Sequence, residues 1–399
     1  MNRITQLVHG TGTVSELLRH RRGAGHQVPS HLLAYSELRR PVVFWNMTRR
    51  CNLLCAHCYI RAGPDAGGVD ELTTGEAMGM IDDLATLRVP LLLFSGGEPL
   101  LRHDFWELAH YTKEKGLTTA LSTNGTLITP EVAHDLKEAG VEYAGISLDG
   151  ASAGTHDRMR GVAGSFERSM RGLENCVAAG LKCGVRITAT RSNYHELADL
   201  VDLSLAAGVP RFCVYWLVPS GRGRTLEADG AIGPEEAREV LDLLYRRACE
   251  LDPEVMEFLT VDAPQDAVHL LSALERDNRE AHAAMRTLLE HAGVGCSAGD
   301  RVANIDPAGT VYPCQFGQLD TLRIGSVRER PFSELWNDPV NPVLARFRSK
   351  REWVGGACRS CPHLSICGGG CRVRAYALTG DLWGEDPLCP LCDQDGSRS

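Results

Sequence analysis

The chain has 399 residues, 43% of them hydrophobic and 23% charged, with a formal net charge of −9. That apolar content supplies a full core and excludes a disordered or fibrous chain. The acidic balance offers no basic face to a nucleic-acid backbone. The N-terminal "MNRITQLVHGTGTVSELLRHRR" has no apolar core of signal-peptide length, and no later run is long enough to span a bilayer. A cytoplasmic protein that binds neither nucleic acid nor membrane is expected.

After an N-terminal segment (1–40), strand and helix signals alternate. Apolar or β-branched runs fall at 41–47, 90–95, 117–122, 142–148, 183–190 and 211–218. Between them lie amphipathic stretches such as "TTGEAMGMIDDLATL", "RHDFWELAHYTKEKG" and "TPEVAHDLKEAG", several closed by a glycine as helix ends commonly are. Continuous apolar strands separated by helix-length segments predict an α/β fold with a parallel sheet, either doubly wound or a partial barrel. In both, chemistry gathers at the C-terminal ends of the strands. "CNLLCAHCY" follows the first predicted strand, "SGGEPLL" the second, "STNGTL" the third and "LDG" the fourth, so one face of the sheet receives them all. Residues 231–292 read as a charged helical connector. The stretch 293–392, rich in cysteine, glycine and proline, reads as a small metal-stabilised domain, and 393–399 as a frayed tail.

Fifteen cysteines in a reducing compartment point to metal or redox chemistry rather than disulfides. Three stand at 51 to 58 and eight between 296 and 392. Cys176, Cys183, Cys213 and Cys249 read as buried small hydrophobes. The trio Cys51, Cys55 and Cys58 is one ligand short of a structural zinc site, unless His57 completes it. A four-iron cluster normally takes four thiolates, so three leave one iron open to a substrate or cofactor.

"CNLLCAHCY" and "SGGEPLL" resemble the CxxxCxxC-aromatic and GGEP motifs of the radical S-adenosylmethionine enzymes. The resemblance implies a partial (β/α)6 TIM-type barrel over 41–230. It implies a core four-iron cluster on Cys51, Cys55 and Cys58, whose fourth iron is chelated by S-adenosylmethionine, with Gly96, Gly97 and Glu98 receiving the cofactor's amino group. Tyr59 is then expected near the adenine, and Ser122 and Asn124 at the ribose. Ser147, Asp149 and Arg186 are expected to approach the cofactor or substrate. Asn124–Gly125 also reads simply as a turn, since that dipeptide favours positive φ. The implied mechanism is electron transfer into the sulfonium, giving methionine and a 5′-deoxyadenosyl radical that abstracts hydrogen from substrate.

The C-terminal order Cys296, Gly309, Cys314, then "CRSCPHLSICGGGC" with Cys358, Cys361, Cys367 and Cys371, then Cys389 and Cys392, is similar to the SPASM extension of these enzymes. That resemblance implies one or two auxiliary four-iron clusters. The distal one would use Cys358, Cys361, Cys367 and Cys389. The proximal one would use Cys296, Cys314 and Cys371, with its fourth position taken by Cys392 or open to substrate.

Longer stretches, among them "LSTNGTLITPEVAHDLKEAGVEYAGISLDG" and "CGGGCRVRAYALTGDLWGEDPLC", resemble the alternative haem pathway branch. That branch holds didecarboxysirohaem deacetylase, the Fe-coproporphyrin decarboxylase and the haem d1 enzyme NirJ. Cys314 and Cys371 are a departure towards the decarboxylase, because the deacetylase and NirJ tend to carry "CGGN" where this chain has "CGGGC". The branch implies an iron-porphyrinoid substrate and a reducing partner such as flavodoxin or ferredoxin. The alternative is a SPASM maturase acting on a peptide or a protein or cofactor precursor. A zinc-stabilised binding protein is the reading from another class. Arg49, Arg50, Arg186, Arg222, Arg224, Arg372 and Arg374 are candidates to pair with tetrapyrrole carboxylates.

Overall fold

The computed structural model describes residues 1–10, 40–68, 70–226, 230–291 and 295–391. Most of the N-terminal segment, Cys392 and the C-terminal tail lie outside them. Eleven strands form one sheet: β1 (Asn2–Arg3), β2 (Val42–Asn46), β3 (Leu92–Ser95), β4 (Thr119–Thr123), β5 (Val141–Ser147), β6 (Cys183–Ala189), β7 (Arg211–Trp216), β8 (Glu257–Val261), β9 (Val302–Ile305), β10 (Thr310–Tyr312) and β11 (Gly325–Ser326). The order is β1-β8-β7-β6-β5-β4-β3-β2-β9-β10-β11. Strands β2 to β8 run parallel in sequence order and β9 adds parallel to β2, whereas β1 pairs antiparallel with β8. Among the described residues the sheet does not close, as expected of a partial barrel.

The six predicted strands are β2 to β7, each within two or three residues of the expected bounds. The seventh parallel strand, β8, falls inside the stretch read as helical. Its charge misled: Glu257 is wholly buried and pairs with Arg211 of β7 at 2.6 Å, so it bonds across a sheet rather than facing water from a helix. The helices 74–87, 105–114 and 130–138 stand where the amphipathic stretches place them. The first opens with a Thr73/Glu76 capping box and stops at Arg88 in the left-handed region (φ 57), not at a glycine.

Side chains alternate across the strands. Val43, Trp45, Leu92, Phe94, Ala144, Ile146, Val185 and Ile187 point outward into the main core beneath the helices. Phe44, Ser95, Ser122, Ser147, Arg186 and Tyr215 take the opposite register and face one central cavity. Cys176, Cys183 and Cys213 are buried as expected, but Cys249 is exposed, because it lies on the outer face of the last turn of the helix 234–250 while Ala248 takes the core.

Candidate active site at the mouth of the barrel

The chain leaving β2 turns over the end of the sheet and carries three cysteines into the cavity. Cys51 N–H bonds to Gly63 O at 3.0 Å and closes the loop on itself. Arg222 holds it from outside, donating from Nε to Cys55 O at 2.9 Å and from Nη1 to Ala62 O at 2.7 Å. Each thiol is met by a donor: Leu53 N–H reaches Cys51 Sγ (3.4 Å), Ala62 N–H reaches Cys58 Sγ (3.3 Å) and Arg160 Nη1 reaches Cys55 Sγ (3.6 Å). Such N–H···S contacts suit sulfurs that carry negative charge. Burial raises the thiol of Cys51 to about 12 and that of Cys55 in the same direction.

Gly96 and Gly97 explain how the second loop meets the first. Gly97 N–H bonds to Thr48 O (2.8 Å) and Glu98 N–H to Arg50 O (2.9 Å), so the turn after β3 runs against the residues just before Cys51. A Cβ on Gly96 (φ 130) would stand 2.6 Å from Thr48 O, and one on Gly97 would run into Arg50 O. The glycines are required for contact between the two loops as well as for backbone at the cavity wall.

The cavity measures about 170 Å³ and is lined by all three cysteines, together with Tyr59, Gly96, Gly97, Ser122, Asn124, Ser147 and Arg186. Tyr59 accepts from Asn46 Nδ2 at 2.6 Å, lies 3.3 Å from Ser95 Oγ, and meets Phe316 edge-on at 5.5 Å. Asn124 is both a turn residue and a wall residue. Its Oδ1 accepts from Thr126 N–H (2.9 Å) ahead of Gly125 (φ 77), while its Nδ2 donates to Asn52 Oδ1 (2.8 Å) and lies 3.9 Å from Cys51 Sγ. Arg186 donates from Nη1 to Ser122 Oγ at 2.8 Å, and its guanidinium carbon lies 5.8 and 5.9 Å from the Tyr143 and Tyr215 ring centres. Its Nε is buried without a partner, and no carboxylate pairs with it among the described residues.

Two predicted residues stand behind the wall. Glu98 is wholly buried, and its carboxyl accepts from Thr123 Oγ1, Asn124 N–H and Leu100 N–H. Burial outweighs those bonds and lifts it to about 7. Asp149 is also wholly buried, 2.7 Å from Arg160 Nη2 and 3.3 Å from His57 Nε2. Burial acts to raise its carboxyl, but Arg160 beside it prevails and holds it below the usual range. His57 is driven down to about 4 by burial against the pull of Asp149, so it is neutral at neutral pH and engaged with Asp149. Arg160 is a wall residue that sequence reading missed, as it missed Tyr215 and Phe316. The signal available for Arg160 was its place in "HDRMRG", just beyond the "LDG" turn.

The second cysteine set forms two groups. Cys358, Cys361, Cys367 and Cys389 line one small cavity with Gly369, Gly370, Gln265 and Asp386. Cys314 packs against Cys371, Val218 and Phe316 on one side and near Cys296, Ala298 and Phe347 on the other. Cys392 lies outside the described residues. No three His, Cys, Asp or Glu side chains among the described residues converge as a single-ion site. Arg372 and Arg374 are unavailable to a substrate carboxylate. Arg372 is spent on the carbonyls of Gly369, Leu382 and Gly384, and Arg374 pairs with Asp386 at 2.8 Å; both are almost wholly buried. Arg49 lies 3.7 Å from Asp306, and Arg50 and Arg224 are exposed.

Comparison with known proteins agrees with this geometry. The radical SAM superfamily profile matches residues 45–204, and the SPASM iron–sulfur cluster-binding domain matches 296–362. The chain is 40% identical over 98% of both lengths to Fe-coproporphyrin III synthase of Methanosarcina barkeri. The chain belongs to the radical SAM superfamily. Within it, pre-heme d1 synthase of Dinoroseobacter shibae is 41% identical over 88% of this chain and 86% of that one. The mycofactocin maturase MftC of Mycobacterium tuberculosis is 34% identical over 86% and 81%. The solved structure of Streptococcus suis SuiB bound to S-adenosylmethionine superposes with a TM-score of 0.70 at 19% identity, over 94% of this chain and 86% of that one, a likeness of fold.

This radical SAM enzyme thus uses S-adenosylmethionine, a core four-iron cluster and auxiliary iron–sulfur clusters. The donor sets fit those groups: three thiols beside an open cavity, four around a closed one, each supplied by close N–H donors or tight glycine turns. Among the described residues, no helix is long and apolar enough to cross a membrane.

Proposed function

We propose that this enzyme modifies side chains of an iron porphyrinoid in haem-type biosynthesis, by deacetylation or oxidative decarboxylation. The observation that carries this reading is the 40% identity to Fe-coproporphyrin III synthase across essentially both whole chains. When bound, a reduced core cluster and S-adenosylmethionine would supply radical chemistry able to take hydrogen from an unactivated C–H bond. Cys51, Cys55 and Cys58 hold that cluster. Cys358, Cys361, Cys367 and Cys389 hold the distal auxiliary cluster, and Cys296, Cys314 and Cys371 three positions of the proximal one. The electron comes from a flavodoxin- or ferredoxin-like donor.

The chain's own residues orient and shield. Gly96, Gly97, Ser122, Asn124 and Ser147 line the cavity for the cofactor's polar groups, with Tyr59 and Phe316 offering aromatic faces. Arg186, a half-buried cation between two tyrosines with no carboxylate paired to it among the described residues, is suited to a carboxylate of cofactor or substrate. The cavity that holds the three cysteines opens at the end of the barrel. On this reading the porphyrinoid seats at its mouth and presents one side chain inward.

The test is anaerobic turnover with iron porphyrinoids carrying acetate or propionate side chains, with 5′-deoxyadenosine and product masses followed together. Porphyrinoid-stimulated cleavage, with loss of acetate or of carbon dioxide and two hydrogens, is expected. The identity to MftC favours a second reading, modification of a peptide. Turnover stimulated by peptide and indifferent to porphyrinoid would replace the first reading with the second.

A further inference from the structure

The helix Ala153–Arg160 ends against the cysteine loop. Its last two carbonyls accept from that loop: Leu54 N–H to Arg160 O at 3.0 Å and Ala56 N–H to Met159 O at 2.9 Å. The helix stops at Gly161 (φ 71), where a Cβ would stand 2.7 Å from Leu54 O, so helix and loop are in backbone contact. From this anchor the buried Arg160 side chain turns back beneath the loop. Nη1 donates to Cys55 Sγ at 3.6 Å, Nη2 makes a 2.7 Å ion contact with Asp149 Oδ2, and Nε has no partner. Asp149 Oδ1 meanwhile accepts from Thr188 N–H at 2.9 Å.

The plain role for Arg160 is to neutralise Asp149. Two features go beyond that role. The loop and helix are already joined by backbone bonds, so the side chain is not needed to connect them. And the guanidinium does not take the two-pronged grip that an arginine–carboxylate pair favours. It spends one nitrogen on the carboxylate and one on the thiol, while the carboxylate's other oxygen goes to a backbone N–H.

We infer that Arg160 is a positioning residue that favours the reduced state of the core cluster, with Asp149 setting how much of its charge reaches Cys55. This rests on the assignment of Cys55 as a ligand of that cluster. On reduction one electron passes from an external one-electron reductant to the cluster, no bond to the protein forms or breaks, and no proton is taken up. The site therefore gains one negative charge and the reductant loses one electron. A buried cation in hydrogen-bond contact with a ligand sulfur stabilises that added charge, and a carboxylate on the cation's far side opposes it.

The test is electron paramagnetic resonance of the reconstituted full-length enzyme at poised potentials, following the reduced signal that changes when S-adenosylmethionine is added. In Arg160→Gln the reduced-to-oxidised ratio at a given potential should fall about tenfold, a midpoint about 59 mV more negative. In Asp149→Asn it should rise, by about threefold. Arg160→Lys keeps the charge and shortens the reach, and should fall between Arg160→Gln and wild type. It decides with Asp149→Asn should Arg160→Gln fail to take up the cluster. Opposite shifts from the two halves of one ion pair are not what a structural role gives, since either change breaks the same pair. Midpoints that stay in place, or move in the same direction, overturn the inference. A wild-type enzyme with no signal responsive to S-adenosylmethionine would instead overturn the ligand assignment on which it rests.

Discussion

Around Cys51, Cys55 and Cys58 the barrel leaves a cavity of about 170 Å³, walled by inward-facing strand residues and by Tyr59, Arg186 and Phe316. Around Cys358, Cys361, Cys367 and Cys389 the chain closes in, with the left-handed Gly369 and Gly370 at the wall beside Asp386, which is paired with the buried Arg374. Gly370 has no room for a Cβ beside Asp386, and Asp386 Oδ2 accepts from Cys371 N–H at 2.7 Å. One site has three thiols beside a cavity with room for another molecule; the other has four thiols around a cavity of only about 10 Å³. Saturated coordination in a closed shell suits electron transfer or structural support, whereas an open position suits chemistry on a bound cofactor.

The sharpest way to break this comparison is to remove one thiol from each side. Cys55→Ala should lower 5′-deoxyadenosine formation by at least about a thousandfold, while Cys361→Ala should keep cofactor cleavage and lose product formation. Equal loss of cleavage in both would remove the distinction between the sites. Next in size is Gly97→Ala, which puts a methyl group against Arg50 O and forces apart the loops flanking Cys51. Iron analysis should show the core cluster lost in most molecules and the auxiliary iron retained.

Arg374→Met acts on the closed side. Its partner Asp386 would be left buried without a counter-charge, a loss of about 3–5 kcal/mol, read as a lower denaturant midpoint for the holoenzyme. A change within error would mean that the pair contributes nothing to closing the shell. The smallest effect concerns Asp266, which accepts from Trp216 Nε1 at 2.6 Å behind the open cavity. Burial lifts its carboxyl to about 7 against the bonds from Thr260 and Trp216. The folded chain therefore holds a proton that the unfolded chain releases, and its contribution to stability is lost as pH rises towards 7. The slope is about 1.4 kcal/mol per pH unit between about pH 5 and 6 and falls to about half of that at pH 7. Asp266→Asn should flatten that slope, and an unchanged pH profile would contradict it.

Much of the site was legible because its motifs follow successive strands. The motifs that follow β2 to β5 were expected at one end of the sheet, where Tyr59, Gly97, Asn124 and Ser147 line the cavity, and the comparison with relatives agrees with the family that "CNLLCAHCY" and "SGGEPLL" indicated. What escaped depended on partners distant in sequence. The charge of Glu257 looked helical until Arg211 was seen beside it. Arg372 and Arg374 read as partners for substrate carboxylates, although both are buried and engaged by groups of the chain itself. A charged residue's burial is set by its counter-group, and local pattern does not reveal that.

The most direct measurement of the difference between the two cysteine sites is the reduced-state paramagnetic spectrum of the reconstituted enzyme with and without S-adenosylmethionine, in wild type, Cys55→Ala and Cys361→Ala. Expected is one signal that shifts with the cofactor, present in wild type and Cys361→Ala and absent from Cys55→Ala, over auxiliary signals indifferent to it. A cofactor-responsive signal that survives in Cys55→Ala, or vanishes in Cys361→Ala, would contradict the assignment of the open site to the barrel mouth.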